Sequence, residues 1–143
     1  MQIDYEPIIS DLFTYLKGSI SGINTFSRRL RLWTECQNQP ALFLRHVGET
    51  IEWPNLRVSK TTLHLEIWLY SQAGKNQETA PDIELDALIK TVLNSLNPDN
   101  QMTGTFTLGG LATYVRAEGK IDHNPGDLDK QAIAVIPVEI LLP

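Results

Sequence analysis

Along residues 61–70, TTLHLEIWLY, the side chains Thr61, Leu63, Leu65, Ile67 and Leu69 alternate with Thr62, His64, Glu66, Trp68 and Tyr70, which is the period of a strand. The first set predicts a core face. The second places a histidine, an acid and two large aromatics in line and predicts a face that meets a partner. Residues 7–17, PIISDLFTYLK, set Ile8, Ile9, Leu12, Phe13 and Leu16 at helical spacing, with Pro7 at a first helical position and Gly18 placed to end the helix. In residues 23–33, INTFSRRLRLW, the residues Phe26, Leu30 and Leu32 alternate with Ser27, Arg29 and Arg31. That predicts a strand, with Arg28 intruding on its apolar side.

A further strand is expected from QPALFLRHV, which starts at Pro40 where a missing N–H is tolerated. Residues 48–60, GETIEWPNLRVSK, mix Gly, Pro, Asn and Ser around an isolated Trp53 and predict a long connection with at most a short extended piece. Residues 71–80 are polar and predict a mobile loop. The clearest helix is 81–96, PDIELDALIKTVLNSL, with acids in its first turn, a stripe of Leu85, Leu88, Ile89, Val92, Leu93 and Leu96, and Asn97 and Pro98 to stop it.

In the last third a strand is expected from Leu111, with Val115 and Ile121 on its side and Tyr114, Arg116, Glu118 and Lys120 opposite. NPGD at 124–127 suits a type II turn. Beyond it Ala132, Ala134, Ile136, Val138, Ile140 and Leu142 form one apolar side of a closing strand, and Pro137 predicts that this strand lies at an edge or carries a bulge. The expected fold is one α+β domain over residues 1–143, with two helices on one face of a mainly antiparallel sheet of about five strands.

Composition narrows the function classes. Hydrophobic residues make up 42% and charged residues 20% of the 143, which suits a soluble globular domain. A net charge of −5 disfavours general attraction to nucleic acid or an anionic membrane. The single Cys36 excludes an internal disulfide and a multi-cysteine metal site, and fits a small buried hydrophobe better than a reactive thiol. MQIDYEPIISDLF has no basic n-region, and no apolar run reaches the ~20 residues of a membrane span, so synthesis in the cytoplasm is expected.

Catalytic chemistry finds little support. His46, His64 and His123 fall on separate elements without the spacing of a helical zinc pair. GTFTLGG at 104–110 has Gly110 where a phosphate loop needs lysine, and reads as a turn entering a strand. Asp122, Asp127 and Asp129 surround the NPGD turn without a calcium-loop spacing and read as a solvated hairpin tip. Arg28, Arg29 and Arg31 with Trp33 form a basic and aromatic cluster of the kind that grips single strands, but its footprint is small and pairing with acids of a neighbouring subunit suits it better. A non-enzymatic protein without cofactor or metal is expected.

The order of segments goes further. A helix, the basic segment, QPALFLRH, TTLHLEIWLY running into a polar loop, ELDALIKTVLNSLNP, TFTLGGLATYVRAEGKI, an acidic turn and AIAVIPVEILLP make a layout that resembles the tail terminator, or tail completion, proteins of tailed bacteriophages and prophages. The likeness covers nearly the whole chain. It implies a homo-oligomer, a hexameric ring on the last ring of the tail tube, that halts tube polymerisation and presents a surface for head joining.

The implied partners are the tail tube protein and a head–tail connector or neck protein, with DNA only passing through the ring, and the implied location is the virion tail after assembly in the bacterial cytoplasm. On this reading His64, Glu66, Trp68 and Tyr70 serve a subunit interface, Arg28, Arg29 and Arg31 meet acids across it, and Trp53 sits in a neighbour. Two alternatives stay open: that a loop such as 48–60 covers Trp68 within one subunit, and that the chain is a non-viral interaction or small-ligand-binding domain.

Overall fold

The computed structural model describes residues 5–72, 83–124 and 131–143. In chain order these form α1 (Glu6–Ser19), β1 (Thr25–Ser27), a 3-10 turn (Trp33–Glu35), β2 (Ala41–Glu52), β3 (Lys60–Gln72), α2 (Ile83–Ser95), β4 (Tyr114–Ala117), β5 (Asp122–Asn124) and β6 (Gln131–Leu141). The sheet has six strands in the order β1-β2-β3-β6-β4, with β5 also on β6. Only the β1–β2 pairing is parallel among these ladders. The fold is α+β.

Both helices lie on one face. Ile9, Leu12 and Leu16 of α1 and Leu85, Ile89 and Val92 of α2 join Leu63, Leu65, Ile67 and Leu69 of β3 and the even-numbered apolar row of β6 in one buried cluster. The stripes and alternations expected from the sequence therefore meet as one core. Among the described residues no helix is long and apolar enough to cross a membrane.

Several expectations need correction. The strand over 23–33 shrinks to Thr25–Ser27, because the Ser27 hydroxyl accepts a hydrogen bond from the Arg29 N–H at 3.0 Å and turns the chain out of the sheet. Leu30 then packs beneath the opposite face, and Leu32 is left exposed.

The expected connection 48–60 is in part a β-arm. β2 runs on to Glu52 through a register irregularity between His46 and Gly48, pairing Thr50 with Thr62, Ile51 with Thr61 and Glu52 with Lys60. Its turn is held by the Asn55 side chain, whose Oδ1 accepts from the N–H groups of Arg57 and Val58, each at 2.9 Å.

Pro137 does not mark an edge strand, since β6 lies between β3 and the β4/β5 pair. β4 pairs with β6 as far as Ala117–Val138, and β5 begins at Asp122–Val135, so Pro137 faces the gap between them. The Glu118 N–H donates to the Pro137 carbonyl at 3.1 Å. A strand residue directs its N–H and C=O to the same side, so the N–H that proline lacks would have pointed into that gap. Gly119, at φ +114°, makes the crossing there, and a Cβ on it would stand 3.4 Å from the proline ring.

The strand expected from Leu111 starts at Tyr114, and Leu111 is exposed. Ser71 and Gln72 of the expected loop extend β3. The rest of that loop, Pro81 and Asp82 of the second helix, and positions 125–130 of the expected turn with Asp127 and Asp129 lie outside the described residues.

Candidate functional site

The outer sheet face, opposite the helices, carries the residues that the TTLHLEIWLY alternation singles out. Its rows run Ala41–Tyr70–Ile133, Phe43–Trp68–Val135, Arg45–Glu66–Pro137 and Gly48–His64–Glu139–Arg116 across β2, β3, β6 and β4. The first two rows are apolar or aromatic. The last two are largely charged.

The apolar rows are covered by the chain itself. Tyr70 is 3% exposed and clusters with Cys36, Ala41 and Phe43, while Leu30, Trp33, Trp68 and Ile133 pack around them. Its hydroxyl donates to the Arg31 carbonyl, and the Trp33 indole N–H donates to the Ser71 carbonyl at 2.9 Å. Burial, with a smaller contribution from Cys36, pushes the Tyr70 phenol above its ordinary value. Tyr70 is therefore interior and not a free surface. The cover comes from residues 30–36, not from 48–60. Trp68 is half-buried, edge-on to Tyr70, and gives its indole N–H to Glu66 Oε1 at 3.1 Å.

The charged rows hold two separate sets of contacts, one around Glu66 and one around His64 and Glu139. Glu66 Oε1 stands 3.4 Å from Arg45 Nη1. His64 Nε2 shares a 2.6 Å hydrogen bond with the Thr50 hydroxyl, and its Nδ1 lies 3.9 Å from Glu139. Arg116 pairs with Glu118 at 2.6 Å and lies over the Tyr114 ring at 4.0 Å. Burial first, then the charge and hydrogen bond of Glu118, raise the Glu139 carboxyl above its ordinary value, against the pull of His64 and Arg116.

A raised carboxyl binds its proton more tightly folded than unfolded, so it favours the fold at low pH and disfavours it as pH rises through the folded value. Glu139→Gln, which mimics the protonated form, is expected to gain on the order of 0.5 kcal/mol at pH 7, a small figure because surface charges are screened. The gain fades below about pH 4. Urea unfolding at the two pH values reads it.

The other predicted interface residues lie apart. Arg28 pairs with Glu6 in the first turn of α1 and, chiefly through that hydrogen bond, holds the Glu6 carboxyl below its ordinary value. The acid it meets in this structure belongs to its own chain. Arg29 and Arg31 are exposed on the connection after β1. Trp53 is 65% exposed at the end of the arm, far along β2 from the Trp68 row. With it, Leu56 is 100% exposed, and Val47, Ile51 and Val58 are each more than half exposed. Sequence reasoning missed these four as a set. The available signal was the alternation Val47, Glu49, Ile51, Trp53, which continues the strand period past Gly48.

A groove of about 570 Å³ opens elsewhere, between Asp11 and Tyr15 of α1, Asn94–Asp99 at the end of α2, and Phe106, Leu108, Gly109 and Leu111. The Asp99 carboxylate organises its floor. It accepts from the Thr107 N–H at 2.7 Å, the Thr107 hydroxyl at 2.8 Å and the Gly109 N–H at 3.0 Å. Burial works to raise its pKa, but these hydrogen bonds prevail and hold it below the ordinary carboxylate range. GTFTLGG thus forms a loop tied to an acid.

His46 lies 3.4 Å from Glu49, and His123 is exposed on β5. Among the described residues no three His, Cys, Asp or Glu side chains are grouped to hold a metal ion. No protein-family model matches the chain, and no curated protein matches it.

Proposed function

We propose that the chain is a structural protein of phage or prophage tail assembly, a terminator that forms a ring on the end of the tail tube, stops its polymerisation and provides the head-joining surface. The observation that carries this reading is the β-arm. Val47 and Ile51 of β2, with Trp53, Leu56 and Val58 at and beyond its end on the connection to β3, expose large apolar surface at one end of the sheet. Such a surface has its use in binding a partner, and exposed aromatic anchors are the residues that dominate interfaces. The element order, with the long hairpin followed by α2 and an apolar closing strand, supports the tail-terminator layout.

Partners on this reading are further copies of the chain, the tail tube protein and a neck protein, with DNA passing through the ring and the virion tail as the final location. The exposed Arg29 and Arg31 and the His64, Glu66 and Trp68 face supply polar contacts around the assembly. Absolute mass by light scattering across a concentration series tests the self-association. The wild type is expected to rise toward a hexamer. Trp53→Ala with Leu56→Ala is expected to stay monomeric, at least about 30-fold weaker in association from the loss of two anchors. Its unfolding free energy is expected to stay within about 0.5 kcal/mol of wild type, since both side chains are exposed. Equal masses for the two proteins at every concentration would count against the reading.

A further inference from the structure

The arm has a tip of definite chemistry, and the groove beside α1 is its complement. Resting on the assembly reading for its choice of occupant, we infer that the hairpin tip around Trp53 and Leu56 of one subunit seats in the 570 Å³ groove of a second copy of this chain.

Charge supports the pairing. The tip, residues 53–60, carries Arg57 and Lys60; Glu52 stands opposite Lys60 in the ladder, so Arg57 gives the tip its net positive charge. The described residues lining the groove include Asp11 and Asp99 and no lysine or arginine. Three donors hold the Asp99 carboxylate and lower its pKa below the ordinary value, so it presents a negative charge in the groove. Opposite potentials across a contact fix its register and suppress wrong partners.

Shape and rigidity agree. Asn55 closes the tip with two hydrogen bonds, so the apolar side chains are presented without ordering a loop. The groove offers Phe106, Leu108 and the exposed Leu111 as an apolar wall, and the ties to Asp99 fix that wall in place. A small molecule would also fit a cavity of this size, but it would leave the arm's apolar surface without an occupant.

The arm belongs to β2 and β3, whereas the groove lies by the loop leading into β4, on the far side of β6. Donor and acceptor surfaces therefore differ. Each subunit gives one and receives one, so the contact closes as a reciprocal dimer or, repeated head to tail, as a ring or filament, of which the assembly reading requires the ring.

The test uses variants with one added thiol on the wild-type background, whose own Cys36 is buried. Leu56→Cys is mixed with Asn97→Cys in the groove wall, or with Arg116→Cys on the outer sheet face, and oxidised at high protein concentration. A disulfide-linked pair is expected for Leu56→Cys with Asn97→Cys and not with Arg116→Cys. A charge swap adds a second reading: Asp11→Lys is expected to weaken association about 5-fold to 10-fold, and added Arg57→Glu to restore it. Dominant Leu56→Cys self-linkage, linkage to Arg116→Cys, or no linkage at all would overturn the docking.

Light scattering on the same samples separates the two claims. A groove-linked pair that stops at a dimer keeps the docking and overturns the ring. A hexamer linked elsewhere keeps the ring and overturns the docking.

Discussion

Ile67→Ala is expected to lower the stability of the fold by about 3 kcal/mol, read as a fall in the urea midpoint at unchanged slope. Ile67 is fully buried at the centre of β3, between Leu44 of β2 and Ile136 of β6 in the same row. Its side chain faces the helices, within the cluster that holds α1 and α2 to the sheet. Truncation removes the transfer free energy of the lost carbons and leaves a space walled by ladders on both sides, which cannot collapse onto it. An equivalent cut at Leu56, fully exposed on the arm, is expected to change stability by less than about 0.5 kcal/mol. The contrast separates the residues that hold the fold from those available to a partner.

The second large effect concerns Tyr70, which the alternation puts on a partner-facing side and the tail-terminator resemblance puts at a subunit boundary. Tyr70→Ala is expected to cost about 3 kcal/mol, because the ring is buried against Phe43 at 5.1 Å between centroids and lies within the cluster under residues 30–36. Tyr70→Phe removes only the bond to the Arg31 carbonyl and is expected to cost about 1 kcal/mol. Both losses are independent of protein concentration if the residue acts within one subunit. In Tyr70→Ala the Trp33 fluorescence is also expected to shift toward the exposed value, since the same cover holds its indole over Ser71. A Tyr70→Ala protein with wild-type stability but reduced mass would return the residue to the subunit boundary.

The difference between these two residues shows how much the sequence carries. Ile67 and the even-numbered residues of β6 were legible because a strand with one buried face repeats every second residue. The helices were legible from their stripes and terminators. The burial of Tyr70 and the half-burial of Trp68 were not legible, because alternation reports which side of the sheet a residue faces, and not what lies on that side. The cover depends on a polar turn at Ser27 that redirects Leu30 and Trp33 across the face, a long-range arrangement with no local period.

Pro137 misled for a related reason: proline excludes one hydrogen bond, and the sequence does not say which neighbour that bond would have met. The β-arm was hidden by Gly48, Pro54 and Asn55, which read as loop punctuation although two of them shape its turn. The groove depends on Asp99 reaching Thr107 and Gly109, a contact that residue spacing does not announce.

The central claim, that this protein ends a tail tube, is tested most directly by electron microscopy of tubes polymerised from the matching tail tube protein with and without it. Shorter tubes of defined length with a ring on one end are expected, and no such capping by the Trp53→Ala, Leu56→Ala variant. Bare ends and an unchanged length distribution at saturating protein would contradict the claim.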